Sequence, residues 1–406
     1  MVRKARRVLM LLGPAFVAAV AYVDPGNFAA NFSAGAEYGY ALLWVLVFAN
    51  IMASLVQYLS AKVGLVTGMS LPEVIAEKLG RKSRIAYWLQ AESVAIATDL
   101  AEVIGGAIAL NLLFDIPLLA GAAITGVVSL LLLAVYSRRG QKIFERVIVG
   151  LLLIIPIGFF IGLFMQPPDA GELALGLIPQ LRNADMLLLA TAMLGATVMP
   201  HVVYLHSALS RDRHGKQGGK ELKSLLKATA LDVGIAMVVA GSVNIAMLVL
   251  AASALRGLPG TDTLEGIFMN LNGELSPIVG GMFGLSLLVS GFASTAVGAH
   301  AGAIIMDGMI RKRISIFTRR IITIIPAIAV VAMGVDPTKA LIISQVILSF
   351  GIPFALIPLL LVTASSKIMG TQKNSLFITS TLTVITASIV LLNLALIVLT
   401  VTEGTI

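Results

Sequence analysis

The chain has 406 residues, of which 58% are hydrophobic and only 12% charged, with a net charge of +8. Soluble domains carry about 25% charged residues, so this composition describes a polytopic helical membrane protein, and the positive balance marks loops at a membrane rather than a nucleic-acid surface. The absence of cysteine excludes disulfides, thiolate metal ligands and cysteine nucleophiles, which leaves oxygen, imidazole or thioether to hold any metal.

Apolar runs long enough to cross a bilayer recur in chain order at 8–36, 41–63, 86–113, 117–136, 143–165, 185–209, 225–252, 277–307, 319–335, 339–363 and 376–401. The expectation is an all-α integral membrane protein with about eleven transmembrane helices. The basic then apolar N-terminus resembles a secretory signal, but no small-residue cleavage site precedes Asp24, so it reads as an uncleaved first span.

The first span is interrupted at Asp24-Pro25-Gly26-Asn27. A charge at bilayer depth costs roughly 2.5–3.5 kcal/mol, proline removes a backbone donor and glycine loosens the chain, so the helix is expected to break between Asp24 and Asn27. The same four residues also make a common turn between two separate elements. The basic residues decide between the two. With a cytoplasmic N-terminus and one broken span, all of the 29 basic residues except Arg182, Arg256 and Lys339 fall on cytoplasmic segments or span ends, as positive-inside topology requires. A turn at Asp24 would move every later loop to the other side. Eleven spans then put the C-terminus outside the cytoplasm.

The sixth span carries a second interruption, Gly195-Ala196-Thr197-Val198-Met199-Pro200-His201. The two breaks open two blocks of five spans, and since five is odd, the second block enters the membrane with opposite polarity. Paired interrupted helices in two inverted halves are the sequence mark of a transporter site. The single domain 1–406 therefore divides into a first repeat at 8–165, an inverted second repeat at 185–363 and an additional helix at 376–401. At the breaks, Asp24 offers a carboxylate, Asn27 an amide oxygen, the unwound backbone near Ala196 a carbonyl and Met199 a thioether. Oxygen-only cages suit magnesium and calcium, whereas a thioether favours softer ions, and this set fits Mn²⁺ or Fe²⁺. Met199 could equally be core packing, the usual fate of methionine.

In the third span Glu92, Asp99 and Glu102 fall on one helical face. Facing lipid they would cost on the order of 9 kcal/mol, so they are expected to face the interior, as proton carriers or as a structural polar network paired with a buried cation. His201 follows the second break, where imidazole titrates near physiological pH; it is read as a proton-pathway residue or a packing group and not as a metal ligand. His206 reads as structural, Asp232 as locally paired with Lys227, and Arg319 and Arg320 as basic anchors of the ninth span. No phosphate-binding loop, serine triad or paired-carboxylate hydrolase pattern occurs, and no enzymatic activity is expected.

Asp24-Pro25-Gly26-Asn27 and Met199-Pro200-His201, with the span number and spacing along essentially the whole chain, resemble the Nramp (natural resistance-associated macrophage protein) family of proton-coupled divalent-metal transporters. Magnesium-transporting relatives depart from the pattern at the asparagine and methionine positions; this sequence keeps both. The resemblance implies the inverted-repeat fold shared with sodium-coupled amino-acid symporters and metal binding by Asp24, Asn27, the Ala196 carbonyl and Met199. Gln345 is implied to approach the ion on occlusion. It also implies a proton route involving Asp24, His201, Asp99 and Glu102, preferred over Glu92, with Arg320 balancing the acids. The expected partners are Mn²⁺ or Fe²⁺ and related ions such as Cd²⁺ or Co²⁺, protons and the lipid bilayer, with no permanently bound cofactor, nucleic acid or obligate protein partner. The expected setting is a plasma (inner) membrane. A sodium-coupled amino-acid symporter of the same fold and a gated metal channel are the alternatives.

Overall fold

The computed structural model describes residues 13–311 and 314–403. The expectations placed on Arg3, Lys4, Arg6, Arg7, Lys312 and Arg313, and on the start of the first span at 8–12, lie outside the described residues. Among the described residues every regular element is helical.

The first span is split into α1 (Pro14–Ala21) and α2 (Pro25–Tyr38), and the second is α3 (Leu43–Thr67). There follow α4 (Arg81–Phe114), α5 (Leu118–Arg139) and α6 (Gln141–Met165) as spans three to five. The sixth span is split into α7 (Ala184–Thr197) and α8 (Pro200–His214). The remaining five are α9 (Gly219–Ala254), α10 (Pro277–Ile310), α11 (Ile316–Ala332), α12 (Pro337–Ala364) and α13 (Leu376–Glu403).

By length and composition, nine helical stretches among the described residues can cross a membrane, the first running from Pro25 to Thr67. A straight helix of those 43 residues would be about 65 Å long, twice a hydrocarbon core of about 30 Å. It is instead two helices that reverse at the 3₁₀ turn Gly39–Leu42, where Gly39 takes φ 60°. Helix α9 reports the reversal. Asn31 meets Asn244 and Gly35 lies on Leu248 and Ala251, so α2 runs parallel to α9. Asn50 lies against Gly241 and Leu65 packs with Leu222, so α3 runs antiparallel to it. The ninth expected span, α11, has only 17 residues, and it is its shortness that leaves it outside those nine stretches.

The packing repeats itself when span n is exchanged with span n+5. Helix α2 packs on α9 as α8 packs on α3, and α1 meets α9 and α6 as α7 meets α3 and α12. Likewise α4 packs on α12 as α10 packs on α6, while α4 and α10 pack on each other. The last helix, α13, lies on α12 and α7.

Prolines set how these helices are joined. A proline at position i leaves the carbonyl of i−4 without its helical donor. Here three such carbonyls receive side-chain donors from other helices. Ala196 O, freed by Pro200, accepts from Asn27 Nδ2 at 3.1 Å. Ser349 O, freed by Pro353, accepts from Asn393 Nδ2 of α13 at 3.0 Å. Phe354 O, freed by Pro358, accepts from the hydroxyls of Tyr87 at 2.7 Å and Tyr204 at 3.0 Å.

Candidate ion-binding site

The break in the first span is shorter than its sequence suggests. Pro25, Gly26 and Asn27 do not unwind; they form the first turn of α2, and the non-helical residues are Tyr22, Val23 and Asp24. Proline at N1 has no N–H to lose and a φ suited to helix. Asp24 is extended (φ −82°, ψ 169°) and caps the new helix. Its Oδ1 accepts from the Asn27 backbone N–H at 2.8 Å and from Asn27 Nδ2 at 2.9 Å. The carbonyls exposed by the break are held by side chains. Tyr22 O accepts from Asn244 Nδ2 at 2.7 Å, Asn244 Oδ1 accepts from Asn31 at 3.0 Å, and Val23 O accepts from Ser290.

The break in the sixth span comprises Val198 (φ −111°, ψ 57°) and Met199 (φ −63°, ψ 118°), and Met199 caps α8 without a side-chain hydrogen bond. Ala196 is in the last turn of α7 rather than on unwound backbone. Its carbonyl is available because Pro200 has no N–H to give it.

These two breaks meet. Asn27 bridges Asp24 and Ala196 O. Gln345 of α12 sits between them: its Nε2 donates to Asp24 Oδ2 at 3.4 Å and to Ser344 Oγ at 3.1 Å. Two glycines make this approach possible. A Cβ on Gly26 would lie 1.8 Å from Gln345 Nε2, and one on Gly195 would lie 1.9 Å from Gln345 O. Asp24, Asn27, Ala196, Met199 and Gln345 all have 0% exposure, so the site is closed to both sides.

Both neighbours of the Asn27 amide nitrogen are acceptors, so the amide turns its oxygen away from them. Asn27 Oδ1 and Gln345 Oε1 are consequently buried acceptors with no hydrogen-bond donor, a condition that costs about 1–3 kcal/mol per group. A cation supplies what they lack. Among the described residues no three or more acids, histidines or cysteines gather to hold a metal. The two breaks therefore bring together one carboxylate with neutral amide and carbonyl groups, and Met199 is buried in the second break.

The acids of the third span lie across α4 from the arginines of α11. Arg319 pairs with Glu92 at 2.5 Å, and Arg320 pairs with Asp99 at 2.6 Å while donating to Thr295. Both arginines are buried, so the basic-anchor reading of this pair is corrected: their heads turn into the protein. Glu102 points at Gly298, where a Cβ would stand 2.9 Å from either carboxyl oxygen, and neither oxygen finds a donor. His201 Nδ1 lies 3.3 Å from Thr98 Oγ1, next to Asp99 in sequence, and its Nε2 has no partner. His201 thus joins the second break to the acid-bearing helix.

Several contacts around the breaks escaped sequence reasoning. Gln57 links the Tyr22 hydroxyl to His206 Nδ1, the latter at 2.7 Å, so His206 is tied to the first break. Asp232 does not pair locally with Lys227. It accepts from the backbone N–H groups of Gly13 and Ala15, each at 3.2 Å, at the start of α1, where free N–H groups attract an anion. Arg213 and Glu145 form a buried ion pair beside Gly13. The available signal was one polar residue in an apolar run, which names no partner.

Known proteins share this sequence and fold. The family model described as natural resistance-associated macrophage protein-like (Nramp) matches residues 15–399. The chain is 54% identical over 393 residues to the divalent metal cation transporter MntH of Mycobacterium tuberculosis H37Rv, covering 97% of this chain and 92% of that one. It is 47% identical over 400 residues to MntH of Bacillus subtilis 168, covering 98% and 94%. The crystal structure of the Eremococcus coleocola manganese transporter, in complex with an aromatic bis-isothiourea compound, superposes with a TM-score of 0.87 at 30% identity, covering 96% of this chain and 86% of that one. MhsT in complex with L-phenylalanine shares the fold at 13% identity and a TM-score of 0.64, covering 96% and 97%.

Proposed function

The chain belongs to the Nramp family, and from that premise we propose that it is a secondary transporter carrying Mn²⁺ or Fe²⁺ inward with protons by alternating access. Related ions such as Cd²⁺ and Co²⁺ fit the same donors. It is a transporter and not an enzyme. Residues 8–165 and 185–363 act as the two inverted repeats, with α13 added outside them. The N-terminus faces the cytoplasm of a plasma membrane and the C-terminus faces outward, the arrangement that keeps most basic residues inside.

The observation that carries this reading is the convergence of Asp24, Asn27, Ala196 O and Gln345 at two proline breaks, fully buried. A half-turn of the Asn27 amide brings Oδ1 beside the Asp24 carboxylate and the Ala196 carbonyl, and the Met199 thioether completes a set that favours transition metals over calcium. Gln345 closes the site through its oxygen. Opening to either side follows from rocking α1–α2 and α7–α8 against α4, α5, α10 and α11. Protons leave the site through His201 and the acids Asp99, Glu102 and Glu92, with Arg320 and Arg319 balancing the charge. The membrane potential favours entry by about 2.3 kcal/mol per unit charge per 100 mV.

Uptake of Mn²⁺ and Ca²⁺ into proteoliposomes, compared between the parent and Met199→Ala, tests the site. The parent takes up manganese alone, and the variant admits calcium as well. If the variant changes neither ion, Met199 is packing and the sixth-span half of the site is wrong.

An amino-acid symporter on this fold would need the N-terminus of α2 free for a substrate carboxylate. Asp24 occupies that position and would repel it. A gated channel would show non-saturating flux, and the two broken helices favour a transporter instead.

A further inference from the structure

A cavity of about 410 Å³ opens between the start of α4 and the end of α10, lined by Arg81, Arg84 and Trp88 on one side and Met306, Met309 and Ile310 on the other. We propose that it binds the headgroup phosphate of an anionic phospholipid, with one acyl chain laid along the methionines and Ile310. It is separate from the ion site and rests on different residues.

The chemistry of the walls is asymmetric. Neither Arg81 nor Arg84 has an ion-pair partner among the described residues, and Arg84 Nε is buried without an acceptor. A buried unpaired guanidinium N–H is costly, and a phosphate takes guanidinium donors in bidentate fashion. The nearest acids on α10 and its neighbours do not serve: Asp307 and Glu73 line a different cavity with Arg311. Two uncompensated positive charges select a lipid with net negative charge over a zwitterionic one. The cavity also lies at the right depth. Arg81 begins the span, and the outward apolar surface starts one turn on, with Ile85 and Leu89 exposed by 40% and 53%. That is where basic residues meet lipid phosphates. Trp88 stands one turn before Glu92, which pairs with Arg319, so occupancy of the cavity steadies the foot of the helix that carries the acids.

The test uses the full-length protein purified in detergent. Thermal unfolding is followed with added phosphatidylglycerol, phosphatidylcholine or inorganic phosphate, and native mass spectrometry counts retained lipids. Phosphatidylglycerol raises the melting temperature by several degrees and at least one molecule is retained, whereas phosphatidylcholine and phosphate do little. The double variant Arg81→Gln/Arg84→Gln loses both effects while its Mn²⁺ binding is unchanged. Should that variant not fold, Ile310→Trp, which fills the apolar end and leaves the arginines, abolishes lipid retention instead. Equal stabilisation by phosphatidylcholine, stabilisation by phosphate alone, or undiminished retention in the variants overturns the proposal.

Discussion

The two helix breaks are built from the same device, a proline at the first position of a new helix, yet they hold themselves differently. The first is held from several directions: Asp24 caps its own helix, and Asn244 and Ser290 take the Tyr22 and Val23 carbonyls. The second has no side-chain cap at Met199, and its freed Ala196 carbonyl depends on Asn27, a residue of the first. In the proposed site the charged ligand thus belongs to the firmly held break, and the neutral, softer ligands belong to the one that needs its partner. An ion bound there would draw on both breaks at once.

The strongest way to break this comparison is Asp24→Asn. It removes the site's carboxylate charge while keeping a side-chain oxygen that can still cap α2, and losing one member of a buried, charge-assisted contact costs about 2–5 kcal/mol, or about 30-fold to several thousand-fold in affinity. Mn²⁺ binding by calorimetry and uptake by proteoliposomes should both fall to background, a larger loss than Met199→Ala produces. Residual uptake equal to that of Met199→Ala would show that the two breaks contribute alike.

Asn244→Ala sharpens the contrast in rigidity. It leaves the buried Tyr22 carbonyl without its donor, which costs about 1–3 kcal/mol, and the melting temperature in detergent should drop. At the second break this part falls to Asn27, itself a residue of the first, so an unchanged melting temperature would mean that the first break is no better held than the second.

The smallest effect concerns the far end of α8. Glu73, in the short helix Leu71–Lys78, accepts from Ser70 N at 2.6 Å and pairs with Arg211. Burial alone would raise its pKa, but the Ser70 hydrogen bonds and the Arg211 guanidinium outweigh burial and hold it below its ordinary 4.5. A depressed pKa stabilises the fold above the unfolded value and loses that contribution as pH falls through the folded one. Glu73→Gln should therefore melt slightly earlier at pH 7, by under about 1 kcal/mol for so exposed a pair. The gap to the parent should close only below about pH 4.5. A gap that persists in acid would remove the ion pair from the account.

Much of this architecture was legible because bilayer physics is severe. Span lengths and the cost of Asp24 at depth write themselves into composition. What was hidden depends on neighbours across the fold. Nothing in the sequence tells that Asn244 serves Tyr22, that Asp232 serves Gly13, or that Arg319 turns inward to Glu92. The boundaries of the breaks were also misplaced, because Pro25 and Pro200 read as interrupters when each in fact starts a helix. One rule would have found more: a buried proline four residues after a carbonyl asks for a donor elsewhere, and Asn27, Asn393, Tyr87 and Tyr204 are the donors supplied.

The bond from Asn393 to the Ser349 carbonyl gives the last helix a place in the order of assembly. Helix α12 leaves the ribosome before α13 exists, and its proline at 353 leaves Ser349 O waiting in the membrane one turn from Gln345. When α13 inserts, Asn393 takes that carbonyl, and its oxygen accepts from Ser349 Oγ at 2.8 Å. A chain without α13 would thus carry every proposed ligand and still hold Gln345 on a helix with an unanswered carbonyl. Insertion of α13, and not only of the helices that bear the proposed ligands, is what answers it.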